Sequence, residues 1–245
     1  MRRLGIEPRS SAWKADALTI MLSALYISSG RSVLKLMFLN KLMNSQEAIW
    51  NDLYSKKLTW KKETISLKNI LTGKKVLELG AGNGKTLNAI LRQKPKEITA
   101  IEISGEAIKR IKGLNVKLIK EDFLKFKTND KFEVVVCYYF LNNFKQDERI
   151  KVANKIKDLL SDKGLILFED FAVGDYRQKG LQIEKNTIQK SNGLICHFFD
   201  KEEIKNVFGD FKIEISEKTL SPIRKDKSIK RKIINCTIQN APGRI

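Results

Sequence analysis

The chain has 245 residues, 42% hydrophobic and 31% charged, which suits one α/β domain with a small appendage. Four prolines and 14 glycines exclude collagen-like and low-complexity classes, while Cys137, Cys196 and Cys236, far apart and without a CxxC pair, exclude a disulfide framework and a zinc site and point to a reducing compartment, the cytoplasm. The net charge of +19, from 47 basic and 28 acidic residues, fits an anionic partner, and the single histidine, His197, excludes a His-rich metal centre.

In chain order, residues 1–36 carry four arginines (Arg2, Arg3, Arg9, Arg31) and few lysines, unlike the Lys-rich remainder. The uncharged run 17–30 is shorter than the ~20 residues a spanning helix needs, so no membrane span is expected. Glu7 and Asp16 interrupt any signal-type region. "GIEPRSSAWKADALT" resembles the translation of a tRNA gene's non-coding strand. Residues 1–36 are therefore expected to be a leader without a fold of its own, with the native start at Met37 or Met43.

Residues 37–72 read as a helical lid. Ile49, Leu53, Ile65, Leu67, Ile70 and Leu71 have helical spacing, and Trp50, Tyr54 and Trp60 are the aromatics that would face a ligand or pack on the core. Residues 73–245 form the main domain. Strands are expected at 75–79, 98–103, 116–119, 132–139 and 165–169, with helices at 85–91, 106–111 and 145–160 between them. That alternation signals a parallel sheet with crossover helices. The run "VVVCYYF" suits a strand buried on both faces. A helix at 200–207 carries Asp200 as N-cap with Glu203 three residues on, and 211–216 and 233–238 suggest a closing hairpin-type pair.

The chemistry lies in "VLELGAGNGKT", residues 76–86. A strand runs into Gly80, Gly82 and Gly84 and a helix follows, so backbone can approach a ligand closely. Glu102, 22 residues after Gly80, ends the next strand, where an acid accepts hydrogen bonds from a ribose diol. A dinucleotide loop reads G-x-G-x-x-G, but Lys85 stands where the third glycine would be. The G-x-G-x-G spacing, preceded by the acidic Glu78, suits a cationic amino-acid sulfonium instead, and S-adenosylmethionine is the expected cofactor.

These residues resemble the class I S-adenosylmethionine-dependent methyltransferases. The resemblance implies a Rossmann-like seven-stranded α/β sheet, mostly parallel with its last strand antiparallel and helices on both faces. It implies cofactor contacts from Glu78, Gly80, Ala81, Gly82, Gly84, Glu102 and Ile103. In "KEDFLKF", Asp122 would hold the adenine amino group and Phe123 its edge; "VVVCYYFLNN" would bring Tyr138 to the cofactor, and "LLSDKGLILFED" matches the turn before strand five.

The acceptor is less legible. Residues 139–142 lack the Asn/Asp-Pro-Pro-Tyr/Phe turn of adenine amino methylation, and Cys137 lies inside a strand rather than on a Pro-Cys loop. After strand five, Asp170, Phe171, Ala172, Gly174 and Asp175, then Asn186, Gly193, Phe198 and Phe199, resemble the tRNA 3-methylcytidine methyltransferase group and its prokaryotic relatives. Departures include Glu169 in place of the group's arginine. Asp170 and Asp175 are the catalytic candidates, because ligands sit beyond the carboxyl ends of such strands. The expected activity is methyl transfer to a small molecule or RNA. The alternative is an RNA-binding protein that retains a non-catalytic cofactor pocket. Possible tRNA contacts come from the basic surface, densest at "RKDKSIKRK", residues 224–232.

Overall fold

Alternation of buried apolar strands with one-sided helices builds a seven-stranded sheet in the order Lys117–Lys120, Glu97–Glu102, Lys75–Leu79, Phe132–Tyr138, Leu160–Phe171, Arg231–Gln239 and Lys212–Leu220. The computed structural model describes residues 45–56, 67–111, 113–220 and 230–240. The expected leader, Trp60 and most of the basic run (224–229) lie outside them. The chain divides into two units, 1–49 and 50–245, and the second carries the sheet.

Helix α1 is Gln46–Ser55. Then follow β1 (Lys75–Leu79), α2 (Lys85–Leu91), β2 (Glu97–Glu102), α3 (Gly105–Ile108), β3 (Lys117–Lys120) and β4 (Phe132–Tyr138). A 3-10 turn at Leu141–Asn143 leads to α4 (Gln146–Leu159) and β5 (Leu160–Phe171). Strands β6 (Leu181–Glu184), β7 (Thr187–Gln189) and β8 (Ile195–His197) precede α5 (Lys201–Phe208), β9 (Lys212–Leu220) and β10 (Arg231–Gln239). Strands β1 to β5 pair in parallel, and β10 lies antiparallel between β5 and β9. The fold is the expected Rossmann-like methyltransferase sheet, last strand included.

Each sheet face carries its own core, as a sheet covered on both sides requires. On one, Val152, Ala153, Ile156, Ile204 and Phe208 of α4 and α5 meet Val135, Cys137, Ile166 and Phe168. On the other, Leu87 and Ile90 of α2 meet Val76, Ala100, Val134 and Val136, with Leu71 beside them. Each fully buried Val, Leu, Ile or Phe side chain among them contributes about 1.5–3 kcal/mol.

Two local expectations change. The turn before strand five is absorbed into a 12-residue β5 that starts at the end of α4. Its register against β4 shifts between Phe132 and Val134, and Gly164 sits at the irregularity, where a Cβ would lie 2.9 Å from the Ser161 carbonyl. Residues 181–197 fold into a separate three-stranded antiparallel sheet, β6-β7-β8, which the sequence reading did not anticipate. Its strands have only 3–4 residues, too few for a period-two pattern to show.

Candidate active site

Strand β1 delivers the chain into Gly80, Gly82 and Gly84 with φ of 70°, 54° and 80°, a left-handed region that favours glycine. The Gly80 and Ala81 N–H groups both donate to the Ile101 carbonyl (2.9 and 3.1 Å), which pins the loop to β2. Two aromatic side chains close over it. A Cβ on Gly80 would lie 2.8 Å from the Phe140 ring, and one on Gly82 would lie 2.6 Å from the Tyr54 hydroxyl.

Glu102, at the end of β2, accepts from the Gly82 N–H through Oε2 and from the Ser104 N–H through Oε1, both at 2.7 Å. The Ile103 backbone N–H also bonds this carboxylate. Burial raises its pKa against those bonds. Glu78 is 1% exposed, and its Oε2 has no partner. Burial first, and the Glu102 charge second, hold its carboxyl well above the usual carboxylate range. Two buried acids, one with an oxygen that has no partner among the described residues, fit an ammonium- and sulfonium-bearing ligand with a ribose diol.

Asp122 is half-buried after β3, with Oδ1 accepting from the Leu124 N–H (3.0 Å). Phe123 is buried and meets Phe140 edge-on at 5.8 Å. Tyr138 packs its ring into the Val134–Val136 core rather than standing clear of it.

The acidic candidates beyond β5 occupy closed positions. Asp170 is fully buried and accepts from Asn142 Nδ2, from the Asn142 N–H (3.1 Å) and from the Phe171 N–H (2.9 Å). Burial pushes its carboxyl up to about 7. Asp175 is 3% exposed and accepts from the N–H groups of Arg177 (2.9 Å) and Lys232 (2.7 Å), joining its loop to β10. Both acids therefore brace backbone.

His197 belongs to another buried network. Its Nδ1 lies 2.8 Å from Thr187 Oγ1 and its Nε2 2.7 Å from Glu203 Oε2. Arg149 reaches the same Glu203 (3.2 Å) and donates to the Phe144 carbonyl (2.8 Å). Asp200 caps α5 as expected, accepting from the Glu203 N–H, but the Glu203 carboxylate goes to His197 and Arg149 instead of closing a capping box. All three cysteines are buried and free, and burial pushes the Cys196 and Cys236 thiols up to about 12 and Cys137 well above its usual range. None is a poised nucleophile.

Sequence reasoning missed Phe140 and Asn142 as site residues. Their signal lay in "YYFLNN" just past β4, but one-dimensional spacing does not show which residue folds back over the glycines. It also passed over Glu169, which pairs with Tyr138 in the β4–β5 register.

Residues 53–216 match the family described as Methyltransferase domain. This chain belongs to the methyltransferase-domain family. It is an S-adenosylmethionine-dependent methyltransferase, and S-adenosylmethionine is its cofactor. Solved structures share the fold. An S-adenosylmethionine-dependent methyltransferase from Methanosarcina mazei is 20% identical over 71% of this chain and 96% of its own, with a TM-score of 0.59. One from Clostridium acetobutylicum is 16% identical over 84% and 97%, with a TM-score of 0.54. The 1,6-didemethyltoxoflavin-N1-methyltransferase of Burkholderia thailandensis is 14% identical over 97% and 94%, with a TM-score of 0.53. Among the described residues of this methyltransferase, no helix is long and apolar enough to cross a membrane, and no group of His, Cys, Asp and Glu could hold a metal ion.

Proposed function

We propose that this methyltransferase acts on a small-molecule or RNA acceptor that enters beyond the carboxyl ends of β4 and β5, with Asn51 and Tyr54, from the described part of the segment expected as a lid, over the cofactor. The observation that carries the reading is the loop at Gly80–Gly84, closed from above by Tyr54 and Phe140 and flanked by buried Glu78 and Glu102. Glu102 would hold a ribose hydroxyl, since a carboxylate accepts about four hydrogen bonds and three of its acceptances go to backbone. Glu78 would face the amino-acid end of the cofactor, with Gly80, Ala81, Gly82 and Gly84 giving it room. Ile103, Asp122 and Phe123 would border the adenine. Bound there, S-adenosylmethionine supplies a methyl group already activated for displacement.

The protein's part is then to orient, to keep out water and to manage a proton. In this reading Tyr54 and Phe140 exclude solvent, and Asp170 and Asp175 position the strand ends without touching the acceptor. Asn51 supports the lid: its Oδ1 accepts from Ser104 Oγ (2.8 Å) and from the Glu106 N–H (3.2 Å). The resemblance to the tRNA 3-methylcytidine group and the charge of +19 favour RNA. Against a phosphate role for part of the basic run, Arg231 is only 6% exposed.

The test is transfer of a labelled methyl group into total RNA and, separately, into a metabolite extract. Label in RNA supports the nucleic-acid acceptor, and label in the extract supports the small molecule. Tight cofactor binding with label in neither sinks the catalytic reading and leaves an RNA-binding protein with a retained pocket.

A further inference from the structure

Tyr139 directly follows β4 with φ of 52°, in the left-handed region that a bulky side chain rarely adopts. The other two such non-glycine residues among those described, Lys94 and Asn186, lie just past a helix end and in a two-residue hairpin turn. Tyr139 lies in the bend that leads from β4 into the 3-10 turn, where Asn143 Nδ2 donates to its carbonyl (3.1 Å). Its backbone turn directs the hydroxyl to Glu169, where Oη donates to Oε1 at 2.6 Å. The strands do not need this bond, because the β4–β5 ladder and the Tyr139 N–H to Glu169 carbonyl bond (2.7 Å) already join them. Strain held by a side-chain bond at a strand end is a mark of function.

The surroundings define a place. Tyr139 and Glu169 are half-buried, whereas neighbouring Asp170 is sealed on the opposite face with Asn142. Phe140, next in the chain, lies against Gly80. Phe171 lies 5.2 Å from the Tyr139 ring, with the Arg177 guanidinium over it at 4.4 Å. One carboxylate thus stands among flat apolar and guanidinium surfaces beside the glycine loop.

We propose that Glu169, aimed by Tyr139, is the acceptor-side proton-handling group of this site, and that the acceptor is an N–H or O–H group on a flat aromatic or heteroaromatic ring. The inference rests on the methyltransferase reading above. The acceptor proton passes to a Glu169 carboxylate oxygen, the freed electron pair of its nitrogen or oxygen forms the bond to the methyl carbon, and the pair of the broken carbon–sulfur bond stays on sulfur. Tyr139 keeps one carboxylate oxygen in place while the other takes the proton. The ring lies against Phe140 and the Arg177 guanidinium, since the faces of Phe171 are taken by Arg177 and Phe198. The charged and titratable groups around Glu169 are Tyr138 from β4, Tyr139 just past it, Asp170 beside it on β5, Lys218 from β9, Arg231 from β10 and Lys85 from α2. Burial outweighs those cations and raises the carboxyl, which brings it closer to the range of a working base.

The experiment titrates the S-adenosylhomocysteine complex of the full chain with 4-nitrophenol, a flat O–H probe, below neutral pH where the probe is uncharged. Wild type, Glu169→Gln and Tyr139→Phe are compared, with S-adenosylhomocysteine affinity measured separately in each. Expected is roughly tenfold weaker probe binding in Glu169→Gln and a few-fold weaker in Tyr139→Phe, with cofactor-product affinity unchanged. Wild-type probe affinity should also fall as acid protonates Glu169, a limb absent from Glu169→Gln that a structural tie would not produce. Total tRNA added as competitor distinguishes the sources: displacement of the probe assigns the ring to a nucleobase, and persistence assigns it to a free small molecule. Equal probe affinity in all three proteins overturns the proposal, as does absence of wild-type probe binding at millimolar concentration. If wild type fails to bind S-adenosylhomocysteine, the methyltransferase reading falls and this inference falls with it.

Discussion

Asp170 shows how one buried side chain sets a pH dependence. Its carboxyl titrates at about 7 in the fold against an ordinary 3.8. Between those values the folded chain keeps a proton that the unfolded chain has released, so stability falls as pH rises from 3.8 to about 7 and then levels. At about 1.4 kcal/mol per unit, the swing is of order 4 kcal/mol. Asp170→Asn should flatten urea-unfolding free energies measured at about pH 5 and about pH 8. The flattening will be incomplete, because Glu78, Glu102 and Glu169 are also raised and act with the same sign. An unchanged slope would show that Asp170 titrates normally. Gly82 makes a sharper test of the cofactor site. A valine there meets both φ of 54° and the Tyr54 hydroxyl. Gly82→Val should cost roughly 1–2 kcal/mol of stability and abolish S-adenosylmethionine binding, read by calorimetry. Retained micromolar binding would remove the loop from the site.

Among the elements, the lid segment and the small sheet are the parts whose roles depend on a few bonds. Asn51 carries two of the bonds that hold α1 to the start of α3. Asn51→Ala should speed S-adenosylhomocysteine release about tenfold in stopped flow, since two hydrogen bonds are worth about 1–2 kcal/mol. An unchanged release rate would mean that α1 does not gate the cofactor. The small sheet depends on Arg149, which is 3% exposed and joins α4 to Glu203 of α5 and, at 3.7 Å, to Glu184 of β6. Removing it strands two carboxylates beside a buried histidine. Arg149→Met should therefore lower unfolding free energy by about 3–5 kcal/mol, far beyond an exposed ion pair. Denaturant titration gives the answer, and a loss below ~1 kcal/mol would show that the network is not what holds the sheet.

At the scale of the whole molecule, the charge of +19 predicts tRNA binding that weakens steeply with salt. The contributing side chains must be exposed. Lys179 and Lys230 are exposed, whereas Arg231 is buried in β10. Reversing Lys179 and Lys230 to glutamate should lower the salt slope by about one to two in a filter-binding series. Undetectable binding at low salt would favour the small-molecule acceptor.

Much of this architecture is local and therefore readable in one dimension. The alternation of apolar strands with one-sided helices determined the parallel sheet, and the glycine spacing with Glu78 and Glu102 determined the cofactor loop, because strand–turn–helix geometry needs only neighbours. Asp200 was legible as a cap for the same reason. The acceptor side was not. Asp170 and Asp175 read as catalytic from their place at and beyond the end of β5, but Asp175 is taken up by the Arg177 and Lys232 N–H groups, and along β5 side chains alternate across the sheet. That alternation put Asp170 on the sealed face with Asn142 and left Glu169 half-buried beside Tyr139. Tyr54 reaches Gly82 from 28 positions away, a contact no local pattern encodes. The β6–β8 sheet likewise depends on Arg149, His197 and Glu203 finding each other across three elements. Local chemistry named the cofactor, and long-range packing decided which acid of β5 is sealed and which stays half-buried.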